Sequence, residues 1–271
     1  MAKDLLYALL IGITEGVTEW LPVSSTGHMI LFDALFSNGF SAEFRELFLV
    51  VIQLGAALAI PVLYFDKLNP FSKTKPPIVR KAVFTLWGKV LLAVLPAAVA
   101  GVFLDEYIES RWMNPRTVAA ALIFYGILFI VVERRKNRNS GIETADKIPS
   151  ETALGIGLFQ TLSLVPGTSR SGATILGGML LGVSRTASAE FSFFLAFPVM
   201  AGASLLKTAK FVLAGTSFTP SELLTLTVGT VTAFLVSLAA VRFLVDFVKR
   251  HSFTAFGVYR ILLGIAVLFI L

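Results

Sequence analysis

Cysteine is absent from this chain, and charge is scarce. Without cysteine no disulfide staples the fold and no thiolate serves as nucleophile, so structure and chemistry rest on other groups. Only 15% of the 271 residues are Asp, Glu, Lys or Arg, against roughly 25% in an ordinary soluble domain. A soluble helical protein of this length would have to cover nearly every helix on all sides, and the surface-to-volume ratio excludes that. Histidine is rare too: His28 and His251 are the only two.

What abounds is apolar sequence. Hydrophobic residues make up 56% of the chain and the mean hydropathy is +0.81. Residues 47–65 and 223–241 each run for 19 positions without a charge, enough for a helix of about 20 residues across a bilayer. The chain reads as an integral membrane protein. Its net charge of +6 comes from basic residues flanking apolar segments, which suits anionic lipid headgroups and gives no reason to expect nucleic acid. The first apolar run starts at Leu5 and soon carries Glu15 and Glu19, with no small-residue cleavage site after it. It reads as part of the mature fold, not as a signal peptide.

Hydrophobic patterning predicts about ten helical segments. A short pair at 4–22 and 26–36 precedes spans at 44–65, 82–104 and 117–133. A connector, 133–151, holds Arg134, Arg135, Lys136 and Arg138. Beyond it come a second short pair, 151–166 and 171–184, and spans at 187–214, 221–248 and 254–271. The segment 26–36 supplies only roughly 16 Å of helix, about half the hydrocarbon thickness. Each short pair therefore reads as a re-entrant hairpin, its non-helical tip sheltered by protein or a wet cavity. The expected fold is all-α and polytopic, a single domain of six full spans plus two hairpins. Its two repeats, about 1–133 and 151–271, each hold a hairpin and three spans. That odd number inverts one repeat relative to the other.

Loop charges orient this scheme. Lys67, Lys73, Lys75, Arg80 and Lys81 put the loop at 66–81 in the cytoplasm, as Lys249, Arg250 and the midpoint connector do for theirs. Asp105, Glu106 and Glu109 suit an outside loop at 105–116. Both termini then fall outside, and the tip of one hairpin meets the other within the membrane. Lys207 and Lys210 lie on the outer side, against the rule.

Two polar motifs sit at the hairpin tips. The first is Pro22-Val-Ser-Ser-Thr-Gly-His28, the second Pro166-Gly-Thr-Ser-Arg-Ser-Gly-Ala-Thr174. Such groups are costly at membrane depth, and two copies point to one polar site built from two halves. Pro22 and Pro166 lie 144 residues apart, which sets Ser24-Ser25 against Thr168-Ser169.

Glu15 and Glu19, four apart, share one helix face. Paired carboxylates among Ile13, Val17, Trp20 and Leu21 either handle a proton or bind a divalent cation, magnesium or calcium. Ser24, Ser25, Thr26 and Gly27 lead to His28, three residues past Ser25, a spacing that permits a base–nucleophile contact. Helix capping is the competing use of either serine. In the second motif Thr168, Ser169, Ser171, Gly172 and Thr174 surround Arg170 at the start of a short helix. Open amides, hydroxyls and a guanidinium fork together suit phosphate. Arg185 and Arg260 read as interfacial anchors that snorkel to headgroups. His251, in a basic loop, reads as a surface residue.

The chain resembles the bacterial undecaprenyl-diphosphate phosphatase family, the bacitracin-resistance proteins, over essentially its whole length. The resemblance lies in Glu15-Gly-Val-Thr-Glu19, Leu21-Pro-Val-Ser-Ser-Thr-Gly-His-Met29 and the second motif, with residues 195–202 and Val258-Tyr-Arg260 in support. It implies hydrolysis of undecaprenyl diphosphate to undecaprenyl phosphate and phosphate at the extracytoplasmic side of the bacterial inner membrane. That recycles the lipid carrier of peptidoglycan synthesis, and bacitracin competes for the same lipid. The family's carboxylate pair falls on Glu15 and Glu19, its serine and histidine on Ser25 and His28, its phosphate arginine on Arg170. Ser25 would attack with His28 or a glutamate taking its proton; attack by water or by His28 stays open. Monomer or homodimer is also open. A lipid phosphatase of the Pro-Ser-Gly-His type would need a second catalytic histidine, which His251 does not supply. The rival class is a transporter or flippase of polyprenyl phosphate, which shares the inverted-repeat architecture but needs no nucleophile.

Overall fold

The computed structural model describes residues 1–36, 39–134, 141–215 and 217–271, with backbone alone at 105 and 109. Apart from one isolated bridge between Ile142 and Val183, the regular elements described are helices. The first half holds α1 (Ala2–Thr18), α2 (Ser25–Leu35), α3 (Ala42–Ala57), α4 (Ala59–Leu63), α5 (Phe65–Leu68), α6 (Pro77–Trp112) and α7 (Pro115–Arg134). The second holds α8 (Ser150–Thr161), α9 (Arg170–Leu180), α10 (Arg185–Leu213), α11 (Pro220–Arg250) and α12 (Thr254–Ile270).

Every expected segment is found as helix, with three differences of detail. The span at 44–65 is divided, because Pro61 would press its ring on the carbonyl four residues back, and α3 ends at that residue, Ala57. The acidic stretch at 105–112, expected as loop, is helical: α6 runs on to Trp112, so its 36 residues make roughly 54 Å of rod, well beyond the bilayer core. The connector begins as helix to Arg134 and includes a short 3-10 turn at Ala145–Lys147; Arg135, Lys136 and Arg138 lie outside the described residues.

Among the described residues, five stretches are long and apolar enough to cross a membrane: 42–63, 77–104 of α6, α7, α10 and α11. The last expected span, α12, is apolar but has 17 residues. Large apolar side chains face outward along these helices, as Phe103, Leu205, Leu213 and Phe269 do. Lipid is the natural solvent for such a surface, and the chain is a multi-pass membrane protein. Helix contacts are correspondingly made through small residues. A Cβ on Gly12 or Gly16 of α1 would lie within 2.8 Å of a carbonyl of α11, and one on Gly157 of α8 would lie 2.4 Å from the Ala93 carbonyl of α6.

The pairings are reciprocal between the halves. α1 lies along α11 as α8 lies along α6; α3 meets α11 as α10 meets α6; α2 touches α12 as α9 touches α7. The pairs α7–α12 and α3–α10 map onto themselves. Gly12 and Gly157 occupy matching places in this scheme, as do Ser24 and Ser169, 145 positions apart. That shifts by one residue the register expected from Pro22 and Pro166: Ser24 answers to Ser169, and Ser25 to Arg170. The prolines misled because the offset is already 145 before the loops, so Pro166 answers to Leu21, and Gly167, at φ 89, answers to Pro22.

Lys207 and Lys210, which break the loop-charge rule, each meet a carboxylate. Lys207 pairs with Glu46, and Lys210 with Glu106 at 3.2 Å. Arg185 is half-exposed and forks onto Glu133 at 2.5–3.0 Å.

Candidate active site

Both hairpin tips make the same turn. Ser24 has φ 74 and Ser169 has φ 68, the only non-glycine residues with positive φ among those described. Such backbone costs about 1–2 kcal/mol for an L-residue. A cap offsets part of that cost: Ser24 Oγ accepts from the Gly27 N–H at 3.4 Å, and Ser169 Oγ from the Gly172 N–H at 3.1 Å. Each serine thus serves its helix, and the next residue, the first of α2 or α9, is left to point elsewhere. Those next residues are Ser25 and Arg170.

Both reach Glu19. Ser25 Oγ donates to Glu19 Oε2 at 3.2 Å. Arg170 donates from Nη2 at 3.0 Å and Nε at 3.2 Å to Glu19 Oε1, and from Nη1 to the Ser192 carbonyl at 2.8 Å. Glu19 is 6% exposed and the Arg170 side chain 8%, so this is a buried ion pair whose loss on one side costs about 3–5 kcal/mol. Ser171 Oγ adds a second link between the hairpins, donating to the Glu19 carbonyl at 2.9 Å. Glu19 sits at the end of α1, with its N–H still bonded to Glu15. Behind it Trp20 is fully buried, edge-on to Phe193 at 5.4 Å.

Glu15 lies one turn back on the same face, buried, with Oε1 free of any partner. It is within electrostatic reach of Glu19 and Arg170. Its counterpart in the second hairpin, Gln160, is equally buried and has neither amide atom paired.

His28 goes elsewhere. Its Nδ1 is 2.7 Å from the Ser24 carbonyl and its Nε2 is 2.7 Å from Tyr259 Oη. The expected contact between His28 and the Ser25 hydroxyl is not made, because the ring folds back on the carbonyl four residues earlier. Since a carbonyl only accepts, Nδ1 carries the proton and Nε2 accepts from the tyrosine. Thr26 is half-buried beside it. Gly27 lets α2 close on its neighbours: a Cβ there would be 3.0 Å from Leu122 and 3.4 Å from Leu263.

The second tip is held from below. Thr168 is buried and gives its carbonyl to Arg260; Ser169 Oγ and Ser171 Oγ are 3.2 Å apart. Thr174, fully buried, turns to α10, with Oγ1 2.7 Å from Ser192 Oγ. It braces α9 and does not line the opening. Arg260 overturns its expected place at the interface: it is 0% exposed. The residues missed in the sequence are Ser192, Tyr259 and Arg260 itself.

Residues 8–266 match the family described as bacitracin resistance protein BacA. The chain belongs to the BacA family. Among similar proteins, one from Enterococcus faecalis called undecaprenyl-diphosphatase is 51% identical, covering 98% of this chain and 97% of its own. Proteins of that name from Streptococcus mutans and Acetivibrio thermocellus are each 52% identical, covering 98% and 97% of this chain and 95% and 96% of theirs.

The BacA arrangement has the parts for phosphoryl transfer. Ser25 is a hydroxyl on a carboxylate, Arg170 a guanidinium across the same carboxylate, and two helix starts present unpaired amides beside them. Among the described residues no group of three or more His, Asp or Glu forms a metal cage. Two carboxylates, one with a free oxygen, still suit a cation that takes its remaining ligands from phosphate and water.

Proposed function

We propose that this chain is an undecaprenyl-diphosphatase of the bacterial cytoplasmic membrane. It hydrolyses undecaprenyl diphosphate to undecaprenyl phosphate and inorganic phosphate, returning the lipid carrier to peptidoglycan synthesis. By consuming the lipid diphosphate for which bacitracin competes, it confers resistance. The observation that carries this reading is Glu19, one carboxylate joined to Ser25 of the first hairpin and to Arg170 of the second.

In the proposed mechanism Ser25 Oγ attacks the terminal phosphorus. The Oγ–P bond forms, the P–O bond to the bridging oxygen breaks, and undecaprenyl phosphate leaves with that oxygen. Glu19 takes the serine proton. Once Glu19 has passed that proton to the departing undecaprenyl phosphate, water attacks the phosphoserine phosphorus and the Oγ–P bond breaks. Glu19 takes one water proton and returns it to Ser25 Oγ as phosphate leaves. Arg170, held by Glu19 and the Ser192 carbonyl, turns its fork to the phosphoryl oxygens and offsets their charge. Ser24 with Gly27 and Ser169 with Gly172 fix the two helix starts, whose open amides at Thr26 and Ser171 are offered to the diphosphate. Thr168 and Thr174 support that lining. His28, locked between Ser24 and Tyr259, shapes the mouth.

A magnesium or calcium ion would be held by Glu15 and Glu19, the free Oε1 of Glu15 being the natural ligand. When bound it would supply positive charge against the diphosphate. In this reading two inverted repeats, 1–133 and 151–271, together hold six spans, the site faces the extracytoplasmic side, both termini lie outside and the basic connector lies inside. The reciprocal helix pairing and the loop charges support this reading.

Purified protein in detergent or liposomes, given undecaprenyl diphosphate, should release phosphate. Movement of polyprenyl phosphate between leaflets without any phosphate release would sink the phosphatase reading and leave the transporter.

A further inference from the structure

Arg260 is a whole guanidinium sealed inside the protein, 0% exposed. Among the described residues no carboxylate pairs with it. Its partners are three backbone carbonyls: Pro22 from Nη1 at 3.1 Å, and Gly167 and Thr168 from Nη2 at 2.9 and 3.0 Å. Tyr125 lies beneath, with the guanidinium carbon 5.6 Å from its ring centre. A buried charge without a counterion is costly, and a purely structural link between two loops would be cheaper as an amide or a hydroxyl.

Its grip falls on matching positions. Pro22 and Gly167 stand two residues before Ser24 and Ser169, the capping serines of the two tips. One fork therefore holds both hairpins by the same point of the same turn. In a trans peptide the C=O and N–H point to opposite sides. Binding the Thr168 carbonyl thus sends the Ser169 N–H away from Arg260. Three residues after Pro22 and three after Gly167 comes the group that touches Glu19, Ser25 on one side and Arg170 on the other. The guanidinium also fills the space beneath α9: a Cβ on Gly172 would lie 3.2 Å from Nη1.

We propose that Arg260 is a positioning residue for phosphoryl transfer, setting the spacing of Ser25 and Glu19 against Arg170 by gripping both hairpin tips at once. It acts through the loops and does not touch substrate. Lysine keeps the charge but cannot span carbonyls in a planar fork, so Arg260→Lys should leave the tips joined but misplaced. A shift of about 1 Å in such a site is worth about 10²-fold in rate.

The proposal rests on the phosphatase reading, so the parent protein's phosphate release from undecaprenyl diphosphate is the first control; if the parent releases none, that reading fails before this one is reached. With an active parent, Arg260→Lys should melt as a folded protein, keep KM within about threefold and lose about 10²-fold in kcat. Placed in Arg170→Lys protein, the same change should cost only a few-fold more, since the group it positions is already altered. Arg260→Gln, able to hold one tip only, should resemble the lysine variant. Parental kcat in folded Arg260→Lys would overturn the proposal. So would a full multiplicative loss in the double variant. If neither the lysine nor the glutamine variant folds, Arg260 is a structural clamp alone, and the positioning role is withdrawn.

Discussion

At the start of α2 and at the start of α9 the chain makes one turn twice: a serine of positive φ caps the glycine three residues on, and its neighbour points at Glu19. The side chains hung on that shared backbone differ. Glu15 has Gln160 as its counterpart, Glu19 has Leu164, Ser25 has Arg170 and His28 has Ala173. One tip carries the acidic groups and the hydroxyl, the other the positive charge. On the proposed mechanism a duplicated backbone yields a single site, because phosphoryl transfer needs an attacking group and a charge-stabilising group on different sides of one phosphorus. Two identical tips could not supply both.

The largest, all-or-none consequence concerns orientation. If the tips come from inverted halves, tags at Met1 and Leu271 will be reached only from outside and a probe at Lys73 only from inside. Termini on opposite faces would break the comparison at its root.

Next in size is the asymmetry between neighbours. Ser25→Ala should abolish nearly all phosphate release, a fall of at least about 10³-fold in kcat, while the protein still folds and binds the lipid. A Ser25→Ala enzyme working near the parental rate would remove the serine-nucleophile mechanism and leave water as the attacking group. On the opposite tip, Arg170→Lys keeps the charge and loses the fork. It should fall by about 10²-fold in kcat, the scale of one aimed electrostatic donor. Near-normal turnover there would mean that the second tip contributes shape and little charge.

Much of this was legible before the structure, and the reasons are physical. Charge-free runs of 19 residues announce spans, and a serine-rich loop at membrane depth announces a site because nothing cheaper explains it. The α6 extension was not legible, since the charges at 105–112 look the same on a loop as on a helix that outruns the bilayer. Arg260 was misread for a related reason. An arginine in an apolar helix has one local pattern whether it snorkels or is buried, and only its place seven residues into the 17 of α12, far from either end, hints at burial. The Ser192 carbonyl that receives Arg170 has no side-chain signature at all. Tyr259 meets His28 across 231 residues of sequence, a separation no motif records.

Glu15→Gln makes the first tip resemble the second at one position. If the free Glu15 oxygen is a cation ligand, activation should require about tenfold more magnesium or calcium, roughly 1.4 kcal/mol of lost binding. The measurement is a cation titration of phosphate release. An unchanged midpoint would assign Glu15 to proton handling.

The smallest effect tests whether the two turns are energetically alike. Ser24→Ala and Ser169→Ala each remove a cap, at about 1 kcal/mol, and each leaves a Cβ in a positive-φ conformation. Glycine at either position also loses the cap, but it is at ease at φ near 70, so the loss should shrink to a few tenths of a kcal/mol. Thermal midpoints in detergent should therefore order as parent, glycine, alanine in both hairpins, with the paired shifts alike. Activity should drop only a few-fold in each, far less than for Ser25→Ala, because the cap orients a helix start and takes no part in bond making. A much larger stability loss at Ser24 than at Ser169 would mean that the first turn stores strain the second does not, and that the resemblance of their backbones hides a difference in their energetics.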